Sequence, residues 1–410
     1  MKKFDIPERF RSPIISKVKE LRTTLDKRKQ DFSPSVLNFG TVEILLARHF
    51  GFCFGVENAI EISYKAIQEN PDKRIFLLSQ MIHNPGVNED LESYGLRFIQ
   101  DTHGNQLISW DEIKKEDVVI IPAFGTTRTI EDKLTGIGVE IQRYNTTCPF
   151  VERVWKRSKK LGEDDFTVVI HGKDYHEETR ATFSQTTAYA KALIVKDIRE
   201  TEILGEFMKG ERPLTEFDAI FKGRFSEGFN PAIDLERIGV VNQTTMLASD
   251  TQEIADYLHS VIQSLYGEEA PEHFANTRDT LCYATNDNQN STLALLERKA
   301  DIAIVVGGYN SSNTSHLVEL CETKFPTYFI KDENEILNEH EIQHFDLKDD
   351  KIKRTNNFLP QINSPKIIIT SGASCPDAVV DRVIERILEF YPNHEAVEKA
   401  LINFEKGLTA

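Results

Sequence analysis

Three cysteines stand where a thiolate could do chemistry: Cys53 in GFCFGV, Cys148 in NTTCPFV and Cys282 in LCYATN. Each sits at a strand–helix junction. The small and hydroxyl neighbours let backbone approach closely. Three thiolates suit Zn²⁺ with an open fourth position, or a [4Fe–4S] cluster whose fourth iron is free for substrate. No C-x₂-C spacing is present, so the residues alone leave both centres open. Cys321, beside Leu317 on the apolar face of SHLVELC, and Cys375, just before Pro376, are expected in the core, the commoner fate of a free cysteine.

Polar side chains gather in similar places. His83 stands in IHNP, His176 and Glu178 in HEET, Thr244 in NQTTM and Ser374 in SGASCPD. The run Asn310, Ser311, Ser312, Asn313 opens a helical pattern and is richer than one cap requires. Helix N-termini bind anions through free N–H groups, so a phosphate or diphosphate is the favoured ligand there. The chain carries 49 Lys plus Arg against 65 Asp plus Glu, a net charge of −16. Such a ligand must therefore be held by local donors and protonated histidine. The same balance argues against a nucleic-acid partner or docking on an anionic membrane.

The elements that position these residues follow a recurring pattern. Runs at 42–50, 74–79, 117–124, 139–144, 167–172, 191–197, 238–245, 301–308, 327–332 and 366–372 are short, apolar and β-branched. Continuous rather than alternating apolarity marks parallel strands covered on both faces, hence an α/β architecture. Ligands of such sheets bind beyond the carboxyl ends of the strands, where the unusual residues fall. A loose repeat of about 100 residues, each with one distinctive cysteine, suggests three similar segments. The polar stretches 200–235 and 341–365 read as insertions or surface connections. In the N-terminal 41 residues, Ser12-Pro13 opens an amphipathic helix with Ile14, Val18, Leu21 and Leu25 on one face, a packing arm. Length supports two to three domains without disulfides, and no apolar run spans a membrane. An odd cysteine count and an N-terminus without an apolar signal region predict a cytoplasmic protein.

Taken together, GFCFGV, IHNP, TTCP, HEET, QTTM, CYAT, VVGGYNSSNTSHL and GASCPD resemble the 4-hydroxy-3-methylbut-2-enyl diphosphate reductase family of the non-mevalonate isoprenoid pathway, over roughly residues 42–388. PAFG at 122–125 and the stretch near 200–235 look like the longer subgroup of plants and cyanobacteria. The resemblance implies a trefoil of three similar α/β domains with mostly parallel sheets around a central iron–sulfur cluster, plus an N-terminal helical extension. The divisions are then 1–41 for the extension, 42–148 for the first domain (its opening strand open to assignment to the third), 149–281 for the second, 282–388 for the third and 389–410 for a C-terminal tail.

For the site, the resemblance implies Cys53, Cys148 and Cys282 as the ligands of one [4Fe–4S] cluster with one substrate-accessible iron. His83, His176, Ser311, Ser312, Asn313 and Ser374 match positions that hold the diphosphate. Glu178 matches the proton-delivering carboxylate, and Thr244 the residue near the substrate hydroxyl. Phe124 departs from the pattern, since much of the family has His there; Asn84 or water takes up part of that role. Glu177 is expected to point away from the site and tolerate Gln. The implied reaction is two-electron reductive dehydroxylation to isopentenyl and dimethylallyl diphosphate, with electrons from a ferredoxin- or flavodoxin-type donor, by a monomer or homodimer. Two rival readings are a zinc enzyme acting on a phosphorylated metabolite and a non-catalytic phosphate sensor; iron and sulfide content and turnover separate them.

Overall fold

Most of the apolar runs pair as strands in three sheets, parallel throughout except at the outer strands of the largest. The structure is a computed structural model describing residues 4–275 and 280–409, so the first three residues of the N-terminal extension lie outside it. The chain divides into two compact units, one of Met1–Glu57, His83–Asn88 and Tyr283–Ala410, the other of Asn58–Ile82 and Glu89–Cys282. Among the described residues, no helix is long and apolar enough to cross a membrane.

The first unit holds a seven-stranded sheet, in the order Ser35–Asn38, Glu43–Leu46, Lys366–Ser371, Ile302–Val306, Thr327–Ile330, Glu341–Asp346 and Lys351–Asn356. The second to fifth of these are parallel. Ile302–Val306 is buried along its whole length, as expected for a strand of Ile and Val covered on both faces. Glu43–Leu46 pairs with Lys366–Ser371, with Ile44 opposite Ile367, so this early strand lies in the sheet of the late ones. The stretch 341–365 is not simply a surface connection. It opens with an antiparallel hairpin in which Ile342 and His344 are buried and their neighbours partly exposed. Half-buried edge strands alternate, and a search for continuous apolarity passes over them.

The N-terminal helix forms at Pro13–Leu25, with Ser12 Oγ accepting from Ile15 N at 2.7 Å and proline in the first turn. Its buried face is Ile14, Ile15, Val18 and Arg22. Leu25, expected on that face, is 56% exposed. Arg22 takes the inner position because its guanidinium reaches the Asp31 carboxylate at 2.8 Å. Residues of the C-terminal stretch also form a helix, Val397–Thr409, whose Ala400 and Phe404 join the same core.

The second unit holds two all-parallel sheets: Arg97–Phe98, Ile75–Leu77 and Val118–Ile120; and Ala192–Val195, Thr167–His171, Ile238–Asn242 and Phe274–Ala275. The run 139–144, expected as a strand, is a loop. Gly138, at φ 92°, ends the helix Arg128–Ile137 in the left-handed region. Val139 and Ile141 then pack straight onto the core, and only Asn145 makes an isolated bridge, to Ile121. Burial alone accounts for the apolarity of this run. The 200–235 stretch is also more than an insertion. Phe217 and Phe221 within it are fully buried, and Phe217 meets Phe207, Phe221 and Phe229 at centroid distances of 5.2, 5.0 and 5.6 Å. Each such pair contributes about 0.5–1.5 kcal/mol beyond the area it buries.

Candidate active site

In the first unit the carboxyl ends of three adjacent parallel strands deliver three of the sequence motifs. Strand Glu43–Leu46 leads to the loop carrying Cys53, strand Lys366–Ser371 to Ser374, and strand Ile302–Val306 to Ser311–Asn313. Hydrogen bonds tie these loops together. Cys53 N donates to Ala373 O at 3.2 Å, and Ala373 N donates to Asn313 Oδ1 at 2.8 Å. Ser374 Oγ donates to His83 O at 3.0 Å. Gly308 lies so close to that carbonyl that a Cβ there would collide with it.

The polar run 310–313 sorts into two tasks. Ser311 is the N-cap of the helix Ser312–Glu322, accepting from Thr314 N at 3.3 Å and from Thr314 Oγ1 at 2.9 Å. Ser312 and Asn313 are each 4% exposed, yet among the described residues Ser312 Oγ and Asn313 Nδ2 have no hydrogen-bond partner. A buried unsatisfied donor costs about 1–3 kcal/mol, so two at one helix N-terminus fit an anionic ligand that would pair with them. Asn84 Oδ1 accepts from Val87 N at 3.1 Å, so its carbonyl oxygen serves the backbone.

In the second unit, parallel strands Thr167–His171 and Ile238–Asn242 lead to HEET and QTTM. His176 caps the helix Glu177–Thr186 through Nδ1, which accepts from Glu178 N at 3.1 Å. That bond places the neutral ring's proton on Nε2. The Phe124 and His176 rings meet in a T-shaped contact, centroids 5.6 Å apart, so an apolar ring lies against the imidazole there. Glu178 is 2% exposed, and both its oxygens are held by Thr244: Oε1 by Thr244 N at 2.6 Å, Oε2 by Thr244 Oγ1 at 3.0 Å. Burial raises its pKa to about 7, against the lowering effect of those bonds. Thr244 O accepts from Cys282 N at 3.1 Å. Gln243, not nominated from the sequence, braces both loops: its Oε1 accepts from Lys173 N and Thr179 Oγ1 at 3.1 and 3.0 Å. An amide beside two threonines in NQTTM was the available signal. Glu177 is buried and accepts a hydrogen bond from Ser79 Oγ, so it is a structural group rather than a tolerant surface residue.

Cys148 is the N-cap of the helix Pro149–Glu163, and its N–H donates to Ala123 O at 2.9 Å. Burial pushes its thiol up to about 11; the Phe150 and Val151 N–H groups oppose this, and Cys282 and Glu178 are close enough to add to it. Cys53, Cys148 and Cys282 are partly exposed, whereas Cys321 and Cys375 are fully buried in the core. Three partly exposed thiols at helix starts, one of them facing the N–H groups of Phe150 and Val151, are a donor set that fits an iron–sulfur group. Cys148 and Cys282 belong to one unit and Cys53 to the other. Among the described residues, no three His, Cys, Asp or Glu side chains stand together as a group that could hold a metal ion.

Residues 44–388 match the family model described as LytB protein. A protein of Crocosphaera subtropica named 4-hydroxy-3-methylbut-2-enyl diphosphate reductase is 40% identical over 354 residues, covering 85% of each chain. A protein of the same name from Prochlorococcus marinus (strain MIT 9211) is 38% identical, covering 89% of this chain and 87% of that one. A solved structure of (E)-4-hydroxy-3-methyl-but-2-enyl diphosphate reductase, described as the terminal enzyme of the non-mevalonate pathway, is similar at 25% identity and a TM-score of 0.51, over 84% of this chain and 99% of that one. The corresponding reductase from Plasmodium falciparum shares the fold at 20% identity and a TM-score of 0.60, over 90% and 100%. With its motifs in order across 345 matched positions, this α/β chain belongs to the LytB family.

Proposed function

We propose that this chain reduces 4-hydroxy-3-methylbut-2-enyl diphosphate to isopentenyl and dimethylallyl diphosphate: two electrons and two protons enter, the allylic C–O bond breaks and water leaves. The observation that carries the reading is the buried Glu178, held at both oxygens by Thr244, whose carbonyl accepts from the Cys282 backbone; burial raises the Glu178 pKa to about 7. A carboxyl half-protonated near neutral pH beside a thiol ligand suits proton delivery to a departing hydroxyl.

Cys53, Cys148 and Cys282 would hold one [4Fe–4S] cluster. When bound, such a group would supply electrons one at a time and Lewis acidity toward the substrate hydroxyl. The chain's own residues do the rest. Ser312 Oγ and Asn313 Nδ2 donate to the diphosphate, with the Ser312–Glu322 helix N-terminus behind them. His83, His176, Ser311 and Ser374 complete that set, Ser374 by turning its hydroxyl from the His83 carbonyl to the diphosphate and His176 through its Nε2 proton. Anchoring the diphosphate fixes the reacting end of a small substrate and replaces a bimolecular encounter by a positioned one. Thr244 holds Glu178 in one rotamer through both oxygens, so its proton leaves from a fixed atom. The electrons come from a ferredoxin- or flavodoxin-type carrier, and the protein works in the cytoplasm as a monomer or homodimer.

Anaerobically purified protein is expected to contain iron and sulfide and to turn over the substrate with a reduced one-electron donor. Replacing Cys53, Cys148 or Cys282 by Ala should each deplete bound iron severely, while Cys321→Ala and Cys375→Ala leave it unchanged. A colourless protein that retains zinc, or iron lost from either core variant, would overturn the ligand set.

A further inference from the structure

The motif around Cys53 reads Phe50-Gly51-Phe52-Cys53-Phe54, and the N-terminal arm grips each of its three aromatic residues. Lys19 Nζ lies 4.5 Å from the Phe50 ring centroid and donates to Phe50 O at 2.8 Å. Phe10 meets Phe52 edge-to-face at 5.9 Å, and Phe4 meets Phe54 edge-to-face at 5.0 Å. Phe4 and Phe10 are buried although each stands near the start of the chain. The arm itself is anchored. Asp381 accepts from Ile14 N and Ile15 N at 3.0 and 3.1 Å, and Lys19 pairs with Asp377 at 2.7 Å. Gly51, at φ 80°, leaves no room for a side chain, since a Cβ would collide with Asp377. The loop is thus pinned at residues 50, 52 and 54, with Cys53 between two held rings.

We propose that the arm is a clasp on the Cys53 loop, and that Phe4 and Phe10 are positioning residues acting on the thiol through Phe54 and Phe52. The cofactor part of this rests on Cys53 being a ligand. A packing arm that merely adds stability would act equally through any of its buried residues. A clasp acts specifically through the residues that touch the loop, and local opening of that loop would expose and misplace its thiol.

Three full-length variants separate these possibilities: Phe4→Ala/Phe10→Ala, the conservative Phe4→Leu/Phe10→Leu, and Val18→Ala, which thins the buried face of the helix Pro13–Leu25 and leaves the ring contacts of Phe4 and Phe10 and the Lys19 contacts in place. In anaerobically iron-loaded protein, release of iron to a chelator should be about tenfold faster in the double Ala variant, the low end of what removing groups that orient a metal ligand brings. The double Leu variant should recover most of the wild-type rate, and Val18→Ala should match wild type. In metal-free protein, iodoacetamide labelling read peptide by peptide should speed up at Cys53 alone, with Cys148 and Cys282 unchanged. Wild-type rates in both measurements for the double Ala variant, or equal acceleration by Val18→Ala, would overturn the clasp. Wild-type protein that binds no iron, with Cys53 labelling still accelerated in the double Ala variant, would keep the clasp and overturn the ligand assignment instead.

Discussion

The two units build the same short relay and finish it differently. In the first, Cys53 N–H reaches the Ala373 carbonyl, and Ala373 N–H reaches the Asn313 side-chain oxygen. In the second, Cys282 N–H reaches the Thr244 carbonyl, and Thr244 N–H reaches a Glu178 oxygen. Each couples a cysteine backbone to a polar side chain through one intervening residue. The Glu178 relay closes on itself, because Thr244 Oγ1 satisfies the second oxygen. The Asn313 relay stays open: among the described residues its buried Nδ2 has no partner, nor has the hydroxyl of the preceding Ser312. A closed relay is preorganised and fixes a proton donor before substrate arrives. An open one bears a desolvation penalty that a ligand relieves, which is the signature of a binding site.

The sharpest break of this comparison is Glu178→Gln. The amide keeps the shape and can still accept from Thr244 N, but it holds no transferable acidic proton. Iron content and substrate affinity should stay near wild type while turnover falls by about 10²–10⁴-fold, the usual contribution of a positioned acid. Full activity in this variant would remove Glu178 from the proton path. The expected split, affinity kept and turnover lost, is what a closed catalytic relay requires.

On the open side the expected effect is smaller and carries a distinctive sign. Ser312→Ala removes a buried hydroxyl that has no partner among the described residues, so the substrate-free protein should gain up to about 1 kcal/mol of stability in denaturant unfolding. Substrate binding should weaken by about 0.5–3 kcal/mol, roughly 2- to 150-fold in Kd. Asn313→Ala should weaken binding similarly but lower stability, because it also strips Ala373 N of its acceptor. Equal stability changes of the same sign in both variants would show that the two donors are not the open end of a relay.

Much of this architecture was legible because motif and element coincide. Cys53, Glu178, Thr244 and Asn313 all stand just past an apolar run, and the carboxyl ends of parallel strands are where such sheets bind ligands. The α/β class followed from runs such as Ile302–Val306, whose lack of alternation reflects burial on both faces. What escaped the sequence is what depends on partners distant in the chain. The hairpin after residue 341 has edge-strand alternation, and the apolar run at 139–144 is buried as a loop. The phenylalanines at 217 and 221 are spaced among polar residues, and only the fold collects them on Phe207. Within NSSNTS, composition could not say that Ser311 caps while Ser312 and Asn313 do not, since that depends on which donors the backbone consumes.

Glu177→Gln provides the smallest and most discriminating test. Glu177 and Glu178 are adjacent in sequence, both buried and both in the first turn of one helix, yet they face different partners. Glu177 accepts from Ser79 Oγ, a residue on the loop after strand Ile75–Leu77. Gln retains an acceptor for that hydroxyl but loses the charge, and with it both the stronger charge-assisted bond and the favourable interaction with the helix N-terminus. Stability should therefore fall by about 0.5–2 kcal/mol, read as a lower denaturation midpoint at unchanged slope. Turnover should change far less than the ~10²-fold floor for loss of a positioned acid. The pair of variants then separates two carboxyls that differ by one position: Glu178→Gln loses turnover with stability near wild type, and Glu177→Gln loses stability with turnover near wild type. The reverse pattern would move the proton donor to Glu177 and make the Thr244 relay a structural brace.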